Sequence, residues 1–437
     1  MKTINLKKIK SVHFIGIGGI GVSAIARMML LNNKKVSGSD SAPSPVTDRI
    51  KRLGARIYIG HQESNIADGV DLVVYSPAVP GNNPELVKAR REGIPAHSYP
   101  EMLGRISQGM YTIAVSGTHG KTTTTAMIAE IMIAAKKDPT VVVGSFLKEQ
   151  KDNFVPGNSK YFLVEACEYR RSFLNLSPQI LVITNIDNDH LDYYGNLQNI
   201  QKAFNEMALK VPRDGFIVCN PGDKVVKPAL KGVRGKIIDY TKTKVNIMLP
   251  IPGHHNIQNA QAALAVAKLV GIDEATTLDA LKEFHGTWRR TEYKGTMKCG
   301  ALIYDDYAHH PTEIKATLAG FRAMYPNKRI IVVFQPHLFS RTKLLLDDLA
   351  KSFGDVDEII LADIYAAREA DDGSISSRVL AERMEKYHKN VRYEGGFLSI
   401  KNYLKKKIKK DDIVITMGAG NIYEIGEKLM TKKQNKP

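Results

Sequence analysis

At 437 residues the chain is too long for one ordinary core, and roughly 100–200 residues per domain predicts about three folding units. Hydrophobic residues at 43% with charged residues at 24% match a soluble globular protein and exclude wholesale disorder or a fibrous class. The formal charge of +17 admits nucleic acid, an anionic membrane surface or phosphate-bearing small substrates as partners, and does not choose among them.

The basic amino terminus, Met1 to Lys10, is followed by an apolar stretch broken by Gly16, Gly18, Gly19 and Gly21, so it lacks the core of a signal peptide. No later run reaches the length of a membrane span, and the expectation is a cytoplasmic protein without membrane insertion. Cys167, Cys219 and Cys299 are odd in number, widely spaced and without a C-x-x-C pair, which argues against a disulfide framework and a zinc knuckle. The lysine run of Lys405, Lys406, Lys407, Lys409 and Lys410 and the tail from Lys432 read as a solvated helix face and a loose end.

Short apolar runs separated by helix-length segments predict an α/β protein with mostly parallel sheets. Three blocks result: residues 1–109, Rossmann-like, with strands at 12–17, 35–38 and 72–75; residues 110–286, with strands at 111–115, 161–164 and 180–184; and residues 287–437, Rossmann-like, with strands at 301–304, 329–334, 358–362 and 413–417. In such sheets ligands bind beyond the carboxyl ends of the strands. The polar residues just after each run are therefore the candidates.

In the first block Gly16-x-Gly18-x-x-Gly21 follows a strand and opens a helix, and Asp40 follows the second strand. This is a dinucleotide fingerprint, yet the same glycines can cradle any diphosphate, and a UDP-sugar is as good a candidate as NAD. In the second block the run at 111–115 leads into Ser116-Gly117-Thr118-His119-Gly120-Lys121-Thr122, then Thr123 and a helical pattern over 126–135. Glycines let backbone amides approach phosphate oxygens, Lys121 can neutralise β/γ charge, and Thr122 can ligate Mg²⁺. The complete Walker spacing would place a glycine where Val115 stands, so only the Gly-Lys-Thr half matches. Glu165 and the group Asn185, Asp187, Asp189 and His190 follow two further strands at the same edge, and carboxylates there suit Mg²⁺.

Taken in order, these motifs with His255, Asn256 and Asn259, Arg289 and Arg290, Asp305 to Pro311, Pro336 to Arg341 and Gly418 to Asn421 resemble the Mur ligases over nearly the whole chain. The resemblance implies three domains: 1–109 for the UDP-substrate, 110–286 for ATP, and 287–437 closing over both. Within the family the pattern is nearest the members that join L-alanine to UDP-N-acetylmuramic acid with ATP and Mg²⁺. It implies UDP-substrate contacts at Gly16, Gly18, Gly19, Gly21, Asp40 and Ser76, and ATP contacts at Gly117, Thr118, His119, Gly120, Lys121, Thr122 and Thr123. It implies further ATP contacts at His255, Asn256, Asn259 and Asp305, the first three near the adenine. Thr122, Glu165 and His190 would serve the metal, and Lys121, His190, Arg289, Arg290, His337 and Arg341 the chemistry. Without the family, 253–259 reads as a polar helix start, paired arginines as solvent-facing, and His309 with His310 as lacking the partners of a closed zinc site.

Three departures from the family pattern stand out: Leu338 in place of a frequent arginine, Cys167 in place of a frequent aspartate beside Glu168, and a shortened 241–252 stretch. The lysine that relatives adding later residues carbamylate has no counterpart after His190, as in the L-alanine-adding members. A peptide-adding relative, an NAD-linked oxidoreductase and a nucleic-acid-stimulated ATPase are the rival expectations. The last lacks interleaved aromatics, so no nucleic-acid partner is expected, and a monomer or homodimer is.

Overall fold

The computed structural model describes residue 6 and residues 8–147, 152–367 and 369–430, without the side chain of Asp192. The tail from Lys432 and most of the opening residues of the basic amino terminus lie outside the described residues. Three sheets are present, one inside each of the three predicted blocks.

The first sheet comprises β1 (Ser11–Ile15), β2 (Lys35–Asp40), β3 (Arg56–Ile59), β4 (Leu72–Tyr75) and β5 (Ala96–Ser98), in the order β3-β2-β1-β4-β5 with every pair parallel. The second comprises β6 (Tyr111–Ser116), β7 (Thr140–Leu147), β8 (Asp152–Val155), β9 (Tyr161–Glu165), β10 (Ile180–Ile183), β11 (Phe216–Cys219) and β12 (Lys236–Asp239), in the order β12-β11-β10-β6-β9-β7-β8. Only its β7–β8 pair is antiparallel. The third comprises β13 (Glu292–Thr296), β14 (Leu302–Asp306), β15 (Ile330–Phe334), β16 (Glu358–Ala362), β17 (Val391–Gly395) and β18 (Ile413–Met417), in the order β13-β14-β18-β15-β16-β17, antiparallel only at β13–β14.

Central strands read as near-continuous apolar runs because helices cover both faces, and β10, β15, β16 and β18 are buried at every position. Edges are less legible. β12 and β13 carry Lys236, Glu292 and Lys294, and each pairs on one side only. Two ends shift from the predicted ones: the helix expected from residue 126 already starts at Lys121, and β14 runs on through Asp305 and Asp306, which were expected just beyond a strand. Ladder bonds from Asp305 and Asp306 to Thr416 and Met417 of β18 extend that strand.

The chain divides into two compact units, one of residues 1–246 with 259–281 and one of 247–258 with 282–437. In the first unit the two sheets share a continuous apolar cluster that includes Phe14 and Ile25 from one and Phe154, Phe162 and Phe204 from the other. Arg27, on the helix Ile20–Leu31, is buried and bonds Asp152 and Asn153 of β8, while Arg49 reaches Asp152 at 2.7 Å. The lysine run at 405–410 is exposed, with Ile408 between, as a solvated face should be.

Candidate active site

The turn between β6 and the helix Lys121–Ala134 is built by backbone constraint. Gly117 has φ +133°, and a Cβ there would lie 1.9 Å from Thr184 Oγ1, so only glycine closes this approach. The Thr118 amide donates to Asn185 O (3.1 Å) and the His119 amide to Asn185 Oδ1 (2.9 Å), while Asn185 Nδ2 and Thr184 Oγ1 donate back to His119 O. Asp187 N donates to Thr118 Oγ1 (2.9 Å), and its carboxylate lies 3.0 Å from His119 Nε2. The expected acidic group after β10 thus holds the loop's shape. Beyond Gly120 the chain enters the helix, whose first amides, at Lys121, Thr122 and Thr123, have no preceding carbonyl in the ladder and suit an anion.

Lys121 Nζ donates to Gly117 O (2.6 Å), Thr118 O (2.9 Å) and Glu168 Oε1 (3.0 Å). Burial works against this ammonium, but Glu168 and, behind it, Cys167 and Glu165 outweigh burial and hold its pKa above the ordinary lysine value. Thr122 Oγ1 donates to Glu165 Oε1 (3.0 Å), and Glu165 Oε2 accepts from Gly144 N (2.7 Å). His190 Nε2 lies 3.7 Å from Glu168 Oε1. Lys121, Thr122, Glu165, Glu168 and His190 therefore form one cluster at the carboxyl edge of the second sheet. The oxygens of Thr122 and Glu165, converging there, are the donor chemistry that Mg²⁺ accepts. Glu168, buried and bound to Lys121, entered the sequence reading only as the neighbour of Cys167, and Gly144 was not singled out at all.

Asn259 belongs to the same unit and sits under the loop, accepting from Thr124 Oγ1 at 3.1 Å. His255 and Asn256 belong to the other unit, where Asn256 Nδ2 donates to Pro252 O at 2.6 Å. All three residues lie in the opening turns of the one helix His254–Leu269.

The first sheet's glycine turn lies at the carboxyl edge of β1. Gly16 N and Ile17 N donate to Ser39 O, Gly19 N to Gly16 O (3.1 Å), and Gly18 N to Asp40 Oδ2 (2.8 Å). Gly21 lies in the first turn of the next helix with the Tyr99 ring packed against it. Ser76 N donates to Ile15 O (3.0 Å), which brings Ser76 beside Gly16. Asp40 is at the end of β2, and its carboxylate also accepts from Ser41 N, so it shapes the turn whatever else it contacts.

In the second unit the paired arginines part company. Arg289 is 3% exposed, donates from Nε to Asp305 Oδ2 (2.9 Å) and from its terminal nitrogens to Gly418 O and Gly420 O, and lies 4.7 Å from the Tyr423 ring centroid. Every face of that guanidinium is engaged. Reaching outward would strand a buried carboxylate and two carbonyls. Arg290 is half-buried, 4.9 Å from the Tyr307 ring centroid and 4.0 Å from Glu313. Asp305 is fully buried, one of its oxygens taking Arg289 and the other Thr416 Oγ1 (2.6 Å). Burial, only partly offset by Arg289, pushes its pKa up to about 6. His337 follows β15, with its ring stacked on Tyr365 at 5.7 Å and its Nδ1 3.2 Å from Arg341.

Three family descriptions match the chain: the Mur ligase family catalytic domain over residues 11–111, the Mur ligase middle domain over 115–244, and the Mur ligase glutamate ligase domain over 289–420. The UDP-N-acetylmuramate--L-alanine ligase of Clostridium acetobutylicum is 44% identical over 97% of this chain and 98% of its own length. The protein of that name from Caldanaerobacter subterraneus subsp. tengcongensis is 44% identical over 99% of each chain. Among solved structures, a UDP-N-acetylmuramate-alanine ligase from Thermotoga maritima superposes with a TM-score of 0.79 at 28% identity, covering 96% of this chain and 98% of that one. A murein peptide ligase from Psychrobacter arcticus shares the fold, with a TM-score of 0.69 at 24% identity over 96% of this chain and 98% of that one.

Proposed function

The chain belongs to the Mur ligase family, and from that premise we propose that it is an ATP-dependent ligase forming an amide between L-alanine and the lactyl carboxylate of UDP-N-acetylmuramic acid, in peptidoglycan precursor synthesis. The observation that carries the chemistry is the phosphate loop, with Lys121 and Thr122 facing Glu168 and Glu165.

A carboxylate does not form an amide unaided, because its oxide is too poor a leaving group. The γ-phosphoryl group of ATP passes to the lactyl oxygen, giving an acyl phosphate and ADP. The uncharged amine of L-alanine then attacks the acyl carbon, the C–O bond to the phosphoryl group breaks, and inorganic phosphate leaves as the amine sheds a proton. In such transfers the protein contributes mainly position and charge. Lys121 and the amides opening its helix hold the triphosphate, and Arg290 adds positive charge to the transferring group. We assign Mg²⁺ to the oxygens of Thr122 and Glu165 with His190 beside them; when bound, it neutralises charge on the phosphoryl oxygens. His337 and Arg341 hold the carboxylate of the incoming amino acid, and the glycine turn after β1 holds the UDP diphosphate with Ser76 nearby. The reaction belongs in the cytoplasm, where ATP is supplied, and no helix among the described residues is long and apolar enough to cross a membrane. Nothing in this chemistry requires a second chain, so a monomer or a homodimer serves.

The test is phosphate release from ATP with Mg²⁺ and UDP-N-acetylmuramic acid, across single amino acids and a tripeptide. L-Alanine should support turnover and the tripeptide should not. Turnover with the tripeptide alone would move the chain to the peptide-adding relatives, and no turnover with any acceptor would end the ligase reading.

A further inference from the structure

Two consecutive residues of the segment Tyr169–Asn175 occupy the left-handed backbone region, Arg170 at φ +50°, ψ +31° and Arg171 at φ +60°, ψ +23°. Non-glycine residues held there cost on the order of 1–3 kcal/mol each and persist only where their surroundings over-determine them. Here the surroundings do. The Arg171 amide donates to Glu168 O (2.9 Å), the Phe173 amide to Cys167 O (2.9 Å), and Phe173 is buried 5.2 Å from the Phe204 ring centroid. Arg171 is further tied to Glu206.

Arg170 is not tied. Its side chain is exposed, no carboxylate pairs with it among the described residues, and its guanidinium lies 5.5 Å from the Tyr169 ring centroid. The Tyr169 ring in turn lies 4.6 Å from that of His190, and the residue before it, Glu168, holds Lys121. A strained backbone thus presents a permanently charged planar donor at the rim of the phosphate loop without spending it on an internal partner. A cation needed for folding would be paired or buried, and this one is neither.

We propose that Arg170 is a substrate-binding residue that grips the carboxylate of the UDP-linked substrate, the group to be phosphorylated. The inference rests on the ligase reading above. A carboxylate is favoured over ATP because the triphosphate already has Lys121 and the helix amides, whereas no other cation of this unit is assigned to the second anion. Guanidinium and carboxylate match as a two-pronged pair, which fixes orientation as well as position.

The experiment measures affinities by calorimetry for UDP-N-acetylmuramic acid and for UDP-N-acetylglucosamine, which lacks the lactyl carboxylate, on the wild-type protein and on Arg170→Gly and Arg170→Lys. Glycine accepts the left-handed backbone and removes the guanidinium with its stem, and Arg170→Lys keeps a stem and a charge without the planar fork. Arg170→Gly should weaken UDP-N-acetylmuramic acid about tenfold or more, since a charge-assisted pair is worth roughly that factor. UDP-N-acetylglucosamine affinity and the KM for ATP should not change, the melting temperature should hold or rise, and Arg170→Lys should recover part of the loss. A variant that binds both sugar nucleotides as the wild type does, or that loses ATP affinity instead, overturns the proposal, as does a wild type with no preference for the lactyl-bearing sugar. If the preference depends on Arg170 but no amino acid or peptide supports amide formation, the ligase reading falls while the carboxylate contact stands.

Discussion

Glu165 and Glu168 stand three residues apart in the chain and do different work, because one ends a strand and the other lies in the turn beyond it. Glu168 is the buried partner of Lys121, so removing the lysine has two effects that can be separated. Lys121→Ala should lower turnover by a factor of about 10² or more through loss of charge opposite the phosphoryl group, and it should also destabilise the fold by leaving a buried carboxylate unpaired. Lys121→Ala/Glu168→Gln should recover the stability and none of the turnover, as read by thermal melting beside the phosphate-release assay. Glu165 depends on Gly144, where an added Cβ would fall 2.8 Å from each carboxylate oxygen. Gly144→Ala should therefore raise the Mg²⁺ concentration needed for half-maximal rate several-fold, and an unchanged Mg²⁺ dependence would show that Glu165 is not a metal-site residue. Lys121 and Thr122 were legible in the sequence because a glycine turn joins them to an apolar strand, and Glu165 because it closes one. Gly144 and the full role of Glu168 were not, since their meaning comes from partners 21 and 47 residues away along the chain.

The segment joining the second block to β13 shows how an element assigns roles that composition cannot. Arg289 at φ +59° and Thr291 at φ +50° flank Arg290, and this backbone turns one arginine into the unit's core and the next outward. Arg289→Ala should lower the unfolding free energy by about 3–5 kcal/mol, since Asp305 would remain buried without its cation. Arg290→Ala should cost at most about 1 kcal/mol, because Arg290 is partly exposed and its ion pair with Glu313 is long at 4.0 Å, while lowering kcat/KM at least tenfold. Urea denaturation and steady-state kinetics on the two variants decide between them; equal losses of stability would contradict the division of labour. The sequence could not separate two adjacent arginines, whose difference lies in backbone angles. The same limit explains the missed elements. Buried central strands announce themselves as apolar runs, whereas β12 and β13 mix charge into edge positions and β5 is three residues long. The helix at Lys121 was expected late because Thr122 to Thr125 are weak helix formers by propensity, and burial of all four overrides it.

At the scale of the molecule, each of the three predicted blocks holds one sheet, and the first two blocks share one apolar core. The cluster containing Phe14 continues into that containing Phe162, and Arg27 is buried against Asp152 of the second sheet, so residues on both sides of position 110 should unfold together. The other unit has its own clusters, around Phe321 and Phe334 on one face of the third sheet and around Ile303 and Ile400 on the other. Asp305 lies in that unit and supplies a marker for its stability. An unfolded aspartate titrates near 3.9, whereas burial raises Asp305 to about 6, so between those values the folded form holds a proton that the unfolded form has lost. The stability linked to that proton is complete below about pH 4 and is lost as pH rises through about 6, with a slope of at most about 1.4 kcal/mol per pH unit. Calorimetric scans from pH 4 to 7 should show this decline in the transition of the 282–437 unit, and Asp305→Asn should flatten it there while leaving the other transition's pH dependence unchanged. If the slope survives the substitution, Arg289 offsets the burial of Asp305 completely, and the pair behaves as an ordinary ion pair enclosed by the third sheet.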